Sequence, residues 1–207
     1  MSPDFDVVEL GPTDHVAEGE EAPDFTRPLV NDEYWEDASL SGLLADGPVV
    51  LVFHPMDGDF PAVYIWQAIR DRGWDDLDVQ VVGLSISSPY EHSRFLEEWG
   101  VEAFRLFSDP QNEVADAYGI VHDLDGMAGI SEPRPAVFVV DPDRTVRDAW
   151  VAEEWPEFPP YDEVEAAIEA VIEAADGAEA DGADDAEGDA ADDEADGETA
   201  RTAGEAQ

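Results

Sequence analysis

The sequence predicts an α/β fold in which a central sheet, mostly of parallel strands, is covered by helices on both faces. The first supporting observation is the apolar run at residues 49–53, Val-Val-Leu-Val-Phe, which is typical of a strand buried on both faces. The second is that strand-like apolar runs alternate with segments of helical spacing along residues 21–175. Together they indicate a three-layer sandwich with a mixed sheet in the middle.

Composition divides the chain into three parts. Residues 1–20 form an acidic N-terminal lead-in, with one short strand expected at residues 7–10. Residues 21–175 have the dense apolar periodicity of one folded domain. Residues 176–207 contain 13 acidic residues, one Arg and no aliphatic residue larger than Ala. Such a segment cannot bury enough apolar surface to offset the entropy of ordering, so we expect a disordered acidic tail.

Four further apolar runs predict strands. The last two are joined by Asp-Pro-Asp-Arg at residues 141–144, a turn sequence, so they are expected to pair antiparallel. Residues 121–133 show no clear periodicity and are expected to form an irregular loop. The four predicted strands are residues 79–84, 104–107, 136–140 and 146–151.

The first long helix is predicted to begin at Pro61, directly after a polar loop at residues 55–60. Proline suits a first helical turn because its missing N–H would have no partner there. A second helix is predicted after Ser88, where Glu91 completes a capping box, and it ends at Gly100. The remaining helical segments are predicted at residues 40–44, 109–119 and 164–172.

Charge is the most unusual property of the chain. It has 53 acidic and 9 basic residues, all nine of them Arg, and a formal net charge of -44. At ordinary ionic strength such a charge repels itself and destabilises the compact state. In molar salt the Debye length falls to about 3 Å and the repulsion is largely screened. We therefore expect a cytoplasmic protein of a salt-accumulating halophile.

Composition also narrows the functional classes. There is no stretch of 18 apolar residues and no secretory signal pattern, so no membrane association is expected. An acidic chain offers no basic patch for phosphates, so nucleic acid is not an expected partner. The absence of Cys excludes disulfides, thiolate catalysis and Cys-ligated zinc. No Gly-rich phosphate loop is present, and no cofactor is expected.

Two stretches carry a resemblance to a known family. Residues 22–25, Ala-Pro-Asp-Phe, resemble the entry motif of the redoxin superfamily, and residues 83–120 follow a longer peroxiredoxin pattern. The residues of that longer match are Gly83-Leu84-Ser85, Ser88-Pro89, Phe95, Phe107-Ser108-Asp109-Pro110, Val114-Ala115 and Tyr118-Gly119-Ile120. The family is that of the alkyl hydroperoxide reductase/thiol-specific antioxidant proteins, and the resemblance spans about residues 21–175. It implies a thioredoxin-like fold of the peroxiredoxin type, while the acidic, Lys-free composition resembles that of haloarchaeal proteins.

The resemblance also implies where an active site would lie. Pro55 matches the Pro of the family motif, Asp59 stands in place of its Thr or Ser, and Ala62 stands in place of the peroxidatic Cys. The family Arg falls at Pro135, and Arg134 is one residue away, which on an extended strand points to the opposite face. We interpret Pro55, Asp59, Ala62 and Arg134 as the positions of a vestigial site that contains no catalytic residue.

Other side chains offer weaker alternatives. His54, Asp57 and Asp59 have donor types that suit a hard or borderline divalent ion, but acidic residues are frequent throughout this chain. His54 is more simply explained as occupying a position where the family often has an aromatic. Met56 could be oxidised, yet its sulfoxide needs a separate reductase to turn over. His15, His92 and His122 are expected on the surface, and Trp66, Trp74, Trp99 and Trp150 in the core or an interface.

These observations leave two main functional hypotheses. The first is a non-catalytic redoxin-like protein that acts by binding or assembly, and the resemblance is compatible with a homodimer. The second is an antioxidant oxidoreductase that reduces peroxides with the thiol of a partner protein. The absence of Cys favours the first. Metal-assisted hydrolysis at residues 54–59 is a third, weaker alternative.

Overall fold

The computed structural model describes residues 7–123 and 127–187. Contacts between Cα atoms divide the chain into two compact units, Met1–Ala175 and Asp176–Gln207. The sheet and the candidate site belong to the first unit. The tail that the sequence predicts to be disordered falls partly on residues 188–207, which lie outside the described residues.

The strands match the predicted apolar runs, with additional short pairings and one hairpin. The longer strands that the sequence predicts are all present within one or two residues of their predicted bounds. In chain order the strands are β1 (Val8–Glu9), β2 (Thr26–Val30), β3 (Trp35–Ser39), β4 (Val49–Phe53), β5 (Gln80–Ser85), β6 (Arg105–Ser108), β7 (Val121–His122), β8 (Glu132–Pro133), β9 (Ala136–Val140), β10 (Val146–Val151) and β11 (Glu154–Trp155).

Seven of these strands form one mixed sheet in the order β10-β9-β4-β5-β6-β2-β3. The central strands β4, β5 and β6 run parallel, whereas the pairs toward both edges are antiparallel. Parallel pairing is therefore limited to three strands, fewer than the sequence predicts. The parallel strands bring their carboxyl ends to one side of the sheet, and the loops that leave there carry the candidate site.

The helices cover both faces of the sheet, and the predicted caps are present. Ser88 and Glu91 form the capping box, and Gly100 closes the same helix in the left-handed region with φ of 64°. Within the described residues, no helix combines the length and the apolar character that crossing a membrane requires. The helices are α1 (Leu40–Leu44), α2 (Phe60–Asp71), α3 (Pro89–Trp99), α4 (Glu113–Ala117) and α5 (Tyr161–Glu187), with a 3-10 turn at Trp74–Asp76.

Two apolar clusters form the core, one on each face of the sheet. Alternate side chains of β4 enter opposite clusters: Leu51 and Phe53 join the first, and Val50 and Val52 join the second. Helix α2 packs on the second cluster through a face that includes Trp66. As predicted, Trp66 and Trp74 are buried in the core, and Trp99 and Trp150 pack against it.

The largest addition to the predicted fold is the β2–β3 hairpin, a stretch with no predicted strand. β3 is the last strand of the sheet, and most of its residues are exposed, so its sequence lacks the apolar pattern of a buried strand. Helix α4 also begins later than predicted. Asn112 has a left-handed backbone with φ of 57°, which separates the turn at Asp109 from the helix.

The closing helix is longer than predicted. The sequence indicates a helix around residues 164–172 and disorder from residue 176, whereas the helical backbone of α5 continues to Glu187. Residues 173–187 contain six Ala, which favour helix, but also four Asp and two Gly, which do not.

Candidate functional site

The candidate site lies in the loop between β4 and α2. Asp59 is the N-cap residue of α2, with extended backbone and no capping hydrogen bond from its side chain. Pro61 follows in the first turn, as the sequence predicts. Ala62 is fully buried and packs in the second apolar cluster. A methyl group in the core therefore stands where the resemblance would place a reactive sulfur.

Asp57 is the centre of a buried hydrogen-bond network in the same loop. Its Oδ1 lies 3.0 Å from Nε2 of His54, and its Oδ2 lies 2.7 Å from Nδ1 of His92 in α3. The imidazole side chains are fully buried, and the carboxylate is 6% exposed. The Asp57 backbone N–H donates to Oγ of Ser87 at 2.9 Å. The network therefore joins the loop after β4 to the loop after β5 and to α3.

The partners of each imidazole fix its protons. Nε2 of His92 lies 3.1 Å from the carbonyl oxygen of Phe107, which can only accept a hydrogen bond. Nδ1 of His92 faces the Asp57 carboxylate and donates one of the two imidazole hydrogen bonds that this carboxylate accepts. Trp66 Nε1 donates to Nδ1 of His54 at 3.3 Å, so the single proton of His54 sits on Nε2 and points at Asp57.

The charge of Asp57 is stabilised by these two donors. Burial alone would raise the pKa of Asp57, but the hydrogen bonds from His54 and His92 outweigh it and lower the pKa from 3.8 to about 2. The carboxylate is therefore ionised at neutral pH and accepts hydrogen bonds from both imidazoles. These hydrogen bonds fix the loop.

The weak metal hypothesis gains no support from this geometry. His54 and Asp57 do come together, but each directs its polar atoms at a protein partner, and Asp59 lies apart at the start of α2. No group of three or more His, Asp or Glu in the described part of the chain has an arrangement that could hold a metal ion. Met56 is half-buried in the same loop.

Arg134 does not join this loop. Its guanidinium donates through Nη1 to the carbonyl oxygen of Ala152 at 3.3 Å. Its neighbour Val151 packs in the first apolar cluster, whereas Ala62 packs in the second, on the other face of the sheet. The carbonyl of Pro135, the residue that the resemblance aligns with the family Arg, accepts from the backbone of Ala152 at 2.9 Å.

Two of the histidines expected on the surface are buried. The prediction that His92 is exposed is wrong. The residue lies one helical turn before Phe95 and Leu96 in α3, so it shares their buried face. That spacing is visible in the sequence and could have identified it. The prediction for His122 is wrong because β7 pairs with β8 and sets Glu132 opposite it. The His122 side chain is 6% exposed. His15 is half-buried and hydrogen-bonded to Thr13 at 2.7 Å.

Comparisons with known proteins agree with this architecture. A family model described as the AhpC/TSA family matches residues 19–149. Peroxiredoxin 2 of Thermoplasma acidophilum is 34% identical over 139 residues, covering 62% of this chain and 63% of that protein. The chloroplastic 2-cysteine peroxiredoxin of Chattonella marina var. antiqua is 28% identical over 141 residues, covering 64% of this chain and 69% of that protein.

Solved structures give the same result. The crystal structure of peroxidoxin BcpB from Mycobacterium tuberculosis is similar with a TM-score of 0.62 and 27% identity, over 76% of this chain and 97% of that chain. The similarity to the AhpC structure from Enterococcus faecalis has a TM-score of 0.65 at 18% identity, which supports the fold alone. The curated relatives are longer than the matched region: this chain spans 63%, 69%, 58% and 63% of the first four.

Proposed function

Since this chain belongs to the AhpC/TSA family and has no cysteine, we propose that it is a peroxiredoxin-like protein with a degenerate active site, acting by binding or assembly. Peroxide reduction of the family type needs a thiolate that attacks the peroxide and becomes a sulfenic acid. The observation that supports the proposal is the fully buried methyl group of Ala62, at the position that the resemblance assigns to that thiolate. Pro55 is the one family position of the motif that is retained.

The surroundings of Ala62 support the same reading. Asp59 adds a negative charge at the helix start, which would raise the pKa of a thiol placed in the first turn. The contact between His92 and Asp57, at 2.7 Å, holds the loop in place. A loop fixed in this way suits a protein that binds or assembles through a rigid surface.

For the mode of assembly, we propose a homodimer formed through a sheet edge. β3 and β10 are the two edge strands of the seven-stranded sheet. Val146 of β10 already bonds Gly19 and Glu20, so β3 is the edge that can pair with another strand. We also propose that residues 21–175 are the working domain and that the acidic tail keeps the particle soluble. The net charge of -44 supports the cytoplasm of a salt-accumulating halophile as its environment.

The proposed loss of catalysis is tested by stopped-flow peroxide consumption in molar salt with a dithiol donor. The wild type should consume no peroxide above background, because no sulfur nucleophile exists. Ala62→Cys alone should add little, because the position is fully buried and Asp59 opposes thiolate formation. Adding Asp59→Thr, Arg134→Ala and Pro135→Arg restores the family pattern and should raise the rate.

Two results would overturn parts of this proposal. Turnover by the wild type, or turnover that appears only with a thiol-bearing partner protein from the same cell, would favour the antioxidant oxidoreductase. A fully restored variant no faster than free cysteine would show that the ancestral nucleophile does not align with Ala62.

A further inference from the structure

Arg134 is a buried cation that has no acidic partner among the described residues. The residue is 6% exposed, and its Nε is buried with no hydrogen-bond partner. The bond from Nη1 to Ala152, at 3.3 Å, is the one hydrogen bond that the described residues provide to its guanidinium. In the part of the chain that the structure describes, neither Nε nor Nη2 has a hydrogen-bond partner.

The other arginines show how unusual this is. In a chain with 53 acidic residues, an arginine near a carboxylate is the expected arrangement. Five arginines follow it and form ion pairs: Arg27, Arg70, Arg72, Arg144 and Arg147. Arg134 is more buried than any of them, and burial lowers the pKa of its guanidinium. An unpaired buried charge is costly, so an anion bound beside Arg134 would stabilise it.

A cavity of about 250 Å³ lies against this guanidinium. One wall is the N-terminal segment, with Thr13 and His15, and the other is the end of β10, with Val151. Residues 54–62 do not line it, so it is separate from the vestigial site. Its volume equals roughly eight water molecules in the liquid, which limits an occupant to a few heavy atoms.

We propose that this cavity binds a small monocarboxylate, which accepts hydrogen bonds from the side of the Arg134 guanidinium that lines the cavity. A carboxylate suits this cation because a hydrogen bond between two charged groups is stronger than one between neutral groups. Thr13 and His15, hydrogen-bonded to each other at 2.7 Å, provide further polar groups in the wall. Glu9, Glu153 and Glu154 also line the cavity, and their charge disfavours a multiply charged ligand such as phosphate. A short aliphatic group would contact Val151.

The test is nuclear magnetic resonance of the ¹⁵N-labelled full chain in molar salt. Chloride is replaced stepwise by acetate at constant sodium concentration, and the Nε–Hε signals of the arginines are followed. One signal should move along a saturating curve, and the variant Arg134→Lys should lack that signal. Saturation transfer from the protein to the acetate methyl group is the second readout. It should weaken roughly tenfold or more in Arg134→Gln, because charge-assisted hydrogen bonds are lost.

The matched control is Arg94→Gln, which removes the same charge from an exposed position of α3 and should leave both readouts unchanged. Phosphate in place of acetate should give no saturating shift. The proposal is overturned if acetate moves no arginine signal, if it moves several to the same extent, or if phosphate moves the Arg134 signal equally. The wild-type signals decide the question even if the Arg134 variants fail to fold.

Discussion

At the residue scale, Asp57 determines the structure of the loop after β4. It bonds His54 within the loop and His92 from α3, at 3.0 and 2.7 Å. A buried, hydrogen-bonded charge of this kind adds little net stability compared with apolar packing, but removing it leaves its donors buried and without a partner. The consequence of losing Asp57 is therefore much larger than the net value of its hydrogen bonds.

We predict that Asp57→Asn lowers the free energy of unfolding by about 3 kcal/mol, because it replaces a buried carboxylate that accepts from two buried imidazoles with an uncharged amide. The control is Asp71→Asn, which removes a 67% exposed carboxylate from a surface pair with Arg70. That change should cost at most about 1 kcal/mol. Denaturant unfolding in molar salt measures both changes. Equal midpoints for the two variants would contradict the proposal that the hydrogen bonds of Asp57 stabilise the loop.

The same network predicts a dependence on pH. The folded-state pKa of Asp57 is lowered from 3.8 to about 2, so its contribution is complete above pH 4 and is lost as the pH falls toward 2. The shift corresponds to about 2 kcal/mol. The stability gap between the wild type and Asp57→Asn should therefore narrow over this range. A gap that stays constant from pH 5 to pH 2 would show that Asp57 is not held ionised by its neighbours.

The sequence could predict the individual positions at this scale but not their pairing. Pro55, Asp59 and Ala62 are placed by a short motif, and α2 begins where that motif requires. The contact between Asp57 and His92 joins residues 35 positions apart and depends on how α3 packs beside the loop. The sequence also does not predict that Arg134 has no acidic partner among the described residues, because this depends on the tertiary packing around it.

At the element scale, prediction succeeded where burial shapes the sequence. β4 and β9 are buried at every position, and their apolar runs are unmistakable. Helix α3 is marked at both ends by its caps. The β2–β3 hairpin was missed because β3 carries Trp, Glu and Asp on exposed positions, and β2 contains Pro28. Edge strands commonly carry charge and proline, which removes the signal of a strand.

Helix α5 gives a prediction at this scale. The last of its side chains that contact the core are Val171 and Ile172 among those described. The segment beyond Ala175 is acidic and has no large apolar residue to bury. Truncation after Ala175 should therefore leave the melting temperature in high salt nearly unchanged. Truncation after Ala170 removes both contacts and should lower it clearly, and a drop of several degrees for the first truncation would show that the tail docks.

At the scale of the whole molecule, charge is the dominant feature. The nine arginines can neutralise few of the 53 carboxylates, and several already do so in surface pairs such as Arg72 with Asp162 and Glu165. The remaining negative charges repel one another. Their repulsion acts on the folded state more than on the expanded chain, where the charges are farther apart.

We predict that the protein loses its native tertiary structure below about 0.5 M salt, because the Debye length then exceeds roughly 4 Å and repulsion between neighbouring carboxylates is no longer screened. The measurement is near-UV circular dichroism, which reports the packing of the buried rings of Trp66 and Trp74. Potassium chloride and sodium chloride should protect equally if screening is the cause. Sucrose at matched water activity should not protect, because it carries no charge. A full near-UV signal in dilute buffer would contradict a halophilic origin of the composition, and protection by sucrose alone would show that hydration, not screening, holds the fold.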